Sequence, residues 1–433
     1  MENITLLVIV FLGLFLLFLF TGWLIAFCLA GVAIISYLFL EAGTLATFAF
    51  LNYNSLTSYS LLALPIFILM GELLISGEVA PKLYDAVTPL MERFRGGLIY
   101  TNILANTILG AACGSTIAAT TSTSTVAIPE LKRRGYQKEI VYGSLASAGC
   151  LAALIPPSVG LIVYAAITDT SIGQLFIAGI IPGLILSASL VLVSKIVLKI
   201  RPQIAPPVKK EGIVPVGRAL FHMVKRLWPL FILIGLVLGT IYTGVATATE
   251  SATFGVAGAM LLGIKNFTLK KLKDGLFLTV RICVGLFLIL AMASIYGFAL
   301  NAVGVKDFLL EALRAAPGGE YGQIYLIWFI MLFLGMFLEP GSGMIITTPI
   351  FLPFVVGLGY DPIWYGIWLI LAVELGNITP PVGLTLYAVQ AVSGDKLETV
   401  AKGCLPYWAA FFIAMTPITF FPAIALWLPR MAF

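Results

Sequence analysis

The sequence predicts an all-α polytopic membrane protein whose two halves are inverted repeats of each other. Three observations carry this prediction: an apolar composition, a set of motifs that recurs once along the chain, and a one-sided distribution of lysine and arginine. Of the 433 residues, 60% are hydrophobic and 10% are charged, whereas roughly a quarter of the residues in a soluble domain are charged. Such a chain has little material outside the bilayer.

Long uncharged runs mark the membrane crossings, because a spanning helix needs about 20 apolar residues. The first run is expected to be a retained helix, since no basic segment precedes it and no small-residue cleavage site follows it. We expect five crossings in the first half. They cover about 4–20, 23–40, 61–77, 138–168 and 174–200.

Motifs in the first half return in the second at nearly constant spacing. PPSVGLIVYA at 156–165 matches PPVGLTLYA at 380–388, an offset of 224 from 156 to 380. GSTIAATT at 114–121 matches GSGMIITT at 341–348, an offset of 227 from 114 to 341. The sequence therefore predicts a duplication, with repeats at 1–200 and 225–433 and a cytoplasmic linker at 201–224.

Each repeat is predicted to contain a re-entrant helical hairpin and a broken helix. The apolar runs around GSTIAATTSTST are too short to cross, so the hairpins are expected at about 97–133 and 322–358. The broken helices are expected at 155–160 and 378–383. Charged segments beside the hairpins, at 78–96 and 301–320, are expected to be amphipathic arms along the interface.

The positive charges support opposite orientations for the two halves. Five crossings are an odd number, so the second half enters the membrane from the other side. With the N-terminus outside, 22 of the 25 Lys and Arg residues lie on the cytoplasmic side, and only Lys306, Arg314 and Arg430 lie outside. We therefore predict that both termini are periplasmic, and we interpret the net charge of +5 as a topology signal with no nucleic-acid partner implied.

The two Pro-Pro breaks predict a binding site near the middle of the membrane. An interior proline removes a helical hydrogen bond and costs about 3 kcal/mol or more. A single proline could be a simple kink, which membrane helices tolerate. Discontinuous helices at matching positions of two inverted halves are instead typical of transporters, whose half-helix ends bind substrate and ions.

Several motifs together resemble the large membrane subunit of tripartite ATP-independent periplasmic (TRAP) transporters, DctM-like. They are GSTIAATTSTSTVAIPELKRRGY (114–136), IPPSVGLIVYA (155–165), TPPVGLTLYA (379–388), GELL (71–74) and GVATATESA (244–252). The resemblance covers essentially the whole chain. It implies a member of the superfamily of sodium-coupled, elevator-type carriers.

The function that the resemblance implies is uptake of an organic acid across the bacterial inner membrane, driven by a sodium gradient. Na⁺ is the only cofactor implied. The implied partners are a periplasmic substrate-binding protein, a small four-helix membrane subunit, the organic acid and the membrane lipids. Sugar carboxylates such as sialic acid, C4-dicarboxylates and compatible solutes all fit, so the sequence does not name the substrate.

The resemblance also implies site residues. One sodium site would use Ser115, Pro156 and Gly160, and a second would use Gly335, Gly376, Thr379 and Val382. The substrate would be bound by Thr116, Thr120, Ser158 and Glu374. Glu339 stands where the family leads us to expect an aspartate, and for Glu72 and Glu339 a functional role and a place near the interface both remain open.

Other functions are compatible with parts of the sequence. A self-sufficient divalent-anion/sodium symporter shares the inverted plan of hairpins and would need no partner. An enzyme is disfavoured because no HExxH motif and no nucleophile motif is present. A channel is disfavoured because two occluding hairpins suit alternating access better than a continuous pore.

Overall fold

The protein is described by a computed structural model that covers residues 13, 14, 17, 24–40, 44–207, 214–302 and 304–432. All regular structure in these residues is helical, which confirms the all-α prediction. Apart from residues 13, 14 and 17, the crossing predicted at 4–20 lies outside the described residues, as does the part of the predicted linker at 208–213.

Ten helices make up the described part of the first half. They are α1 (Ile25–Leu40), α2 (Leu45–Leu56), α3 (Ala63–Ser76, entered through a 3₁₀ turn at Tyr59–Leu62), α4 (Val79–Met91), α5 (Gly97–Cys113), α6 (Thr116–Arg133), α7 (Lys138–Gly149), α8 (Leu151–Leu154), α9 (Val159–Thr168) and α10 (Ile172–Ile200).

Ten more helices follow a 3₁₀ turn at Pro202–Ile204. They are α11 (Val216–Tyr242), α12 (Ala248–Gly263), α13 (Leu269–Ala302), α14 (Val305–Arg314), α15 (Gly319–Gly335), α16 (Pro340–Gly357), α17 (Pro362–Asn377), α18 (Leu384–Ser393), α19 (Leu397–Phe420) and α20 (Ala423–Ala432).

Seven helical segments of the described chain are long and apolar enough to cross a membrane. They are Tyr59–Ser76, Lys138–Thr168, Ile172–Ile200, Val216–Tyr242, Leu269–Ala302, Pro340–Gly357 and Leu397–Phe420. The chain is thus a multi-pass membrane protein. Length and composition admit α16 to this set, although the sequence predicts that it belongs to a re-entrant hairpin.

The order of the helices around the predicted hairpins and breaks recurs along the chain. The helix pair α5 and α6 is followed by the interrupted helix α7–α9, and the pair α15 and α16 is followed by the interrupted helix α17–α18. The first residues of α5 and α15, 97 and 319, differ by 222, and those of α9 and α18, 159 and 384, differ by 225. The opposite membrane orientation of the halves and their boundaries stay predictions.

Helix α2 was not expected from the sequence. Its segment LATFAFLNYNSL carries two asparagines and a serine and is too short to cross a bilayer. The helix forms because Thr44 caps its first turn, accepting a hydrogen bond from the backbone N–H of Thr47 at 3.1 Å. It packs against α13, where the hydroxyls of Ser55 and Ser294 are hydrogen-bonded at 2.6 Å.

The helices pack into two groups that meet around the predicted site. In the first, here called the scaffold group, α13 contacts α1, α2 and α3, and α12 lies between α3 and α11. In the second, the hairpin group, α5–α10 and α15–α19 pack together. A close contact in this group joins α7 and α19 through Gly143 and Gly403, where a Cβ on either glycine would overlap the backbone of the other helix.

Asp395 holds three elements of the hairpin group together at one end. Its carboxylate accepts hydrogen bonds from Lys138 Nζ, at 2.8 Å, and from the hydroxyl of Tyr142. Lys132 Nζ lies 3.8 Å from the same carboxylate. The hydrogen bond from Lys138, then that from Tyr142, lower the pKa of Asp395 below its ordinary value. This contact ties the segment before α19 to the end of α6 and the start of α7.

Candidate functional site

The first break lies between α8 and α9, at Pro156 and Pro157. Because proline has no N–H, Pro157 leaves the carbonyl of Ala153 without its helical donor. The hydroxyl of Ser158 donates to that carbonyl instead, and the same side chain caps α9. The N–H of Val159 leaves the helical pattern and donates to the carbonyl of Gly114 at the tip of the first helix pair, at 3.2 Å.

The second break, between α17 and α18, is connected in the same way. The carbonyl left by Pro381 belongs to Asn377 and accepts from the hydroxyl of Thr385 at 2.7 Å. The N–H of Gly383 donates to the carbonyl of Met336 at the tip of the second helix pair, at 2.8 Å. Both Pro-Pro peptide bonds are cis. Each break is therefore fastened to the tip of the helix pair in its own half.

Glycines allow the backbones to approach at both tips. A Cβ on Gly114 would lie 2.5 Å from the carbonyl oxygen of Pro157, and Gly114 also has a positive φ of 63°. A Cβ on Gly376 would lie 2.6 Å from the Cα of Gly335, and one on Gly335 would lie 2.6 Å from the carbonyl oxygen of Val373. Side chains at these positions would force the tips away from the broken helices.

A cavity of about 70 Å³ lies between the tips and the scaffold group. The scaffold side is formed by α3 and α13, and the opposite side by the start of α6, the start of α9 and the start of α16. Its polar lining residues are Ser115, Thr116, Glu72 and Glu339, and Gly160 also belongs to the lining. The cavity thus joins elements from both halves.

The cavity lining is acidic. Glu72 and Glu339 both belong to it, and no Lys or Arg does so among the residues that the structure describes there. Buried carboxylates are costly unless a cation or hydrogen bonds offset their charge. The arrangement therefore favours binding of a cation, or of a cation together with an anion, over binding of an anion alone.

Glu374 connects the two halves beside this cavity. Its side chain is buried, and its Oε1 accepts a hydrogen bond of 2.7 Å from the hydroxyl of Thr116 on α6. Its Oε2 lies 3.4 Å from Nδ2 of Asn377, and the thiol of Cys150 donates to its backbone carbonyl at 3.7 Å. Since Asn377 stands at the second break, one carboxyl group contacts the first tip and the second broken helix.

The other two hydroxyls predicted to bind the substrate, those of Thr120 and Ser158, have different surroundings. Thr120 is fully buried on α6, and its hydroxyl occupies the space that a side chain at Gly149 would fill, with no hydrogen-bond partner among the described residues. Ser158 is also fully buried, but its hydroxyl is engaged by the backbone of the first break. Thr120 packs against Gly149 and does not belong to the described lining of the cavity, whereas Ser158 positions the backbone.

The fold brings two of the three residues of the first predicted sodium group to the cavity. Ser115 and Gly160 line the cavity, and the break containing Pro156 runs behind it. The second predicted group lies at the other break, where Gly335 and Gly376 are in close contact. There Thr379 is buried and donates its hydroxyl to the carbonyl of Leu375 at 2.6 Å, while Val382 is half-buried in the loop. Both groups remain predictions.

Sequence reasoning missed a buried polar network next to the site. Asn102 accepts from the hydroxyl of Tyr84 at 3.1 Å and donates to the hydroxyl of Ser144 at 2.9 Å. One turn along α5, Asn106 accepts from the hydroxyl of Thr123 at 3.1 Å. The sequence feature that could have revealed this network is the pair of asparagines in NILANT. They are four residues apart and so lie on one face of an otherwise apolar helix.

The chain is similar to known transport proteins over nearly its whole length. A family model described as "Tripartite ATP-independent periplasmic transporter, DctM component" matches residues 12–424. The C4-dicarboxylate TRAP transporter large permease protein DctM of Pseudomonas aeruginosa is 32% identical over 375 residues, covering 86% of each chain. The sialic acid TRAP transporter large permease protein SiaM of Vibrio cholerae is 28% identical over 417 residues, covering 95% of this chain and 96% of the relative.

A solved structure shares the fold at much lower sequence identity. The YdaH transporter of Alcanivorax borkumensis, described as having an unusual topology, aligns with a TM-score of 0.57 and 13% identity. The alignment covers 86% of this chain and 87% of that one. At this identity the likeness supports the arrangement of helices and nothing about the substrate.

Proposed function

This chain belongs to the DctM component family of tripartite ATP-independent periplasmic transporters, and we propose that it drives uptake of an organic acid across the bacterial inner membrane with a sodium gradient. It is a membrane transport protein of the large permease type and not an enzyme. The observation that carries the proposal is the acidic, hydroxyl-lined cavity where both helix-pair tips meet the scaffold group.

Sodium coupling is supported by the chemistry of this cavity. Glu72 and Glu339 would repel a carboxylate substrate, and the described lining offers no basic side chain to offset them. Sodium ions bound by hydroxyls and by carbonyls of unwound backbone can supply the missing positive charge. We propose Ser115, Pro156 and Gly160 as one sodium group, and Gly335, Gly376, Thr379 and Val382 as the other.

The substrate is proposed to lie between these groups. We propose that it is bound by the hydroxyls of Thr116 and Thr120, by the N-terminus of α9 behind Ser158, and by Glu374, which accepts a hydrogen bond from Thr116. Relatives are named for C4-dicarboxylates and for sialic acid, and we propose a carboxylate of one of these kinds. Helix N-termini favour such anions because their backbone N–H groups and dipole are positive.

The partners follow from the tripartite family. We propose that a periplasmic binding protein delivers the substrate and that a small four-helix membrane subunit braces the scaffold group. Both chain termini are proposed to be periplasmic, in agreement with the distribution of Lys and Arg. The scaffold group offers many exposed apolar residues for such a subunit, among them Phe231, Phe277 and Val284.

Transport is proposed to follow an elevator mechanism, in which the hairpin group moves as a body against the scaffold group. The two breaks are each fastened to a tip by a backbone hydrogen bond, which suits a rigid moving unit. The cavity lies on the boundary between the two groups, so movement along that boundary would carry the bound ligand across the membrane.

A cross-link across this boundary is expected to stop uptake. Leu286 of α13 and Gly341 of α16 face each other, and a Cβ on Gly341 would lie 3.1 Å from Leu286 Cδ2. The L286C/G341C variant should lose transport when oxidised and regain it on reduction. Every described native cysteine is buried, which keeps background cross-linking low. The measurement is uptake in proteoliposomes before and after dithiothreitol.

The matched control places the disulfide inside the scaffold group. Ser55 and Ser294 lie in α2 and α13, with their hydroxyls 2.6 Å apart, so S55C/S294C should cross-link without loss of uptake. An oxidised L286C/G341C protein that transports at the control's rate would contradict the elevator proposal.

The test of the overall function is uptake of labelled succinate and sialic acid into liposomes containing this chain and its small subunit. With the binding protein outside, an inward sodium gradient should support uptake of one of them, and an equal potassium gradient should not. Uptake by this chain without either partner would contradict the tripartite proposal and favour a self-sufficient symporter. Uptake that is equal in both gradients would contradict sodium coupling.

Two threonine variants test whether the hydroxyl of Thr379 contributes to the sodium dependence of uptake. Thr379→Leu is expected to raise the sodium concentration needed for half-maximal uptake by roughly tenfold, because a hydroxyl in the unwound loop is removed. Thr253→Leu is the control, since its hydroxyl makes the same bond to the carbonyl four residues earlier, Thr249, but is exposed on α12. Identical sodium curves for the two variants would remove Thr379 from the proposed site.

A further inference from the structure

A second, larger cavity opens between the start of α5 and about the last four turns of α10. Its volume is about 770 Å³, which is ample for part of an amphiphile, and it shares no lining residue with the cavity at the tips. The described lining consists of Met91, Phe94, Arg95, Tyr100, Ile103, Leu104, Ser187, Val191, Lys195, Leu198, Lys199 and Pro202.

One edge of this cavity is cationic. Lys195 and Lys199 are four residues apart on α10 and therefore project from the same face. Arg95, which precedes α5, lies across from them, and its guanidinium donates to the carbonyl of Pro202 at 2.7 Å. That bond uses one of the five N–H donors of arginine and leaves the others available.

These positive charges are not neutralised within the cavity. No Asp or Glu belongs to its lining in the described part of the chain. The acid closest along the chain, Glu92, is paired with Arg134 at 2.5 Å. Three cations around one opening are therefore free to bind an anionic group.

Beyond the charges the lining is an apolar wall formed by both helices, with Val191 one turn before Lys195 on the same face of α10. Leu104 and Val191 face the cavity, and Phe94 and Tyr100 form an edge-to-face pair at its mouth, with centroids 6.3 Å apart. A hydrogen bond of 2.9 Å between Thr107 and Ser187 joins the two helices at the far end. Cations at one edge and an apolar wall behind them match a molecule with an anionic head and a hydrocarbon chain.

We propose that this cavity is a binding site for an anionic phospholipid. The phosphate would lie among Arg95, Lys195 and Lys199, and an acyl chain would cover the apolar wall. Basic pockets between membrane helices on the cytoplasmic side are suited to such head groups. A free anion would use the cations but would leave the wall of Leu104 and Val191 exposed, so a lipid accounts for more of the cavity.

The experiment measures lipid retention by native mass spectrometry of the full purified chain. Detergent-solubilised protein is titrated with phosphatidylglycerol and, in parallel, with phosphatidylcholine. Wild type should retain phosphatidylglycerol selectively. The double variant K195Q/K199Q should weaken that binding by about thirtyfold, because each surface cation contributes a few-fold to the attraction of an anionic lipid.

Two further variants separate charge, shape and folding. K270Q/K273Q removes the same charge from exposed positions on α13, outside the cavity lining, and should bind phosphatidylglycerol like wild type. Val191→Phe keeps all three cations but fills the wall, and it should also weaken binding. Thermal unfolding midpoints within a few degrees of wild type show that each variant is folded.

Several outcomes would overturn the proposal. They are unchanged phosphatidylglycerol retention in K195Q/K199Q, equal losses in K270Q/K273Q, and equal retention of phosphatidylcholine by wild type. Displacement of phosphatidylglycerol by an equal concentration of inorganic phosphate would assign the site to a free anion. Normal binding by a folded Val191→Phe protein would show that the apolar wall takes no part.

Discussion

Replacing Glu374 by glutamine is expected to reduce sodium-driven uptake by roughly tenfold, because a neutral amide accepts a weaker hydrogen bond than a charged carboxylate does. Glutamine has nearly the same volume, and its amide oxygen can still accept from Thr116. The change therefore removes the ionisable carboxyl group and keeps the packing of the side chain. Since Glu374 contacts both Thr116 at the first tip and Asn377 at the second break, the substitution weakens a contact that joins the two halves at the proposed substrate position.

The measurement is initial uptake in proteoliposomes at fixed sodium, normalised to the amount of folded protein. Glu398→Gln is the control, because Glu398 is an exposed acid of the same half that forms a surface ion pair with Lys402, at 2.7 Å. It should transport like wild type. Glu374→Ala should be worse than Glu374→Gln, since it leaves the hydroxyl of Thr116 buried without a partner. Wild-type uptake by Glu374→Gln would exclude Glu374 from the site.

Gly376→Ala is expected to destabilise the protein and to abolish uptake. The added Cβ would lie 2.6 Å from the Cα of Gly335 and 2.7 Å from the carbonyl oxygen of Leu332, and backbone cannot move aside as a flexible side chain can. Overpacking of this kind costs about 1–3 kcal/mol or more. Here the strain falls between the second tip and α17, which must stay in contact for the second break to be formed.

Gly285→Ala provides the matched comparison. Gly285 lies on the exposed face of α13, and a Cβ there would meet nothing within 4 Å. It should be neutral or slightly stabilising, because alanine favours helix more than glycine does. Thermal unfolding in detergent, together with uptake, checks both variants. Equal unfolding midpoints and equal uptake would show that the backbone approach at Gly376 is not needed.

Much of the architecture could be predicted because it depends on local chemistry. The apolar composition specifies a membrane protein, since charged residues are too few to cover a soluble surface. Each Pro-Pro pair interrupts its helix wherever that helix packs, because proline has no N–H to donate. The breaks, helix pairs and amphipathic segments accordingly lie within a few residues of their predicted positions. Helix α2 was missed because its asparagines and serine obscure the apolar signal.

The site itself required the tertiary structure. Thr116 and Glu374 are hydrogen-bonded although 258 residues separate them, and Glu72 and Glu339 come to one cavity from different halves. In the sequence these acids could equally have stood at the membrane interface.

By itself, the sequence determined the membrane class, the family and the two places where a helix must break, because each depends on composition or on a missing N–H. Only the tertiary structure decided which carbonyl each freed N–H reaches, which acids share a cavity, and that Lys195 and Lys199 stand opposite Arg95. The physical reason is that these relations depend on how helices rotate and approach one another. That packing is governed by side chains distant in the sequence, such as the glycines at 335 and 376.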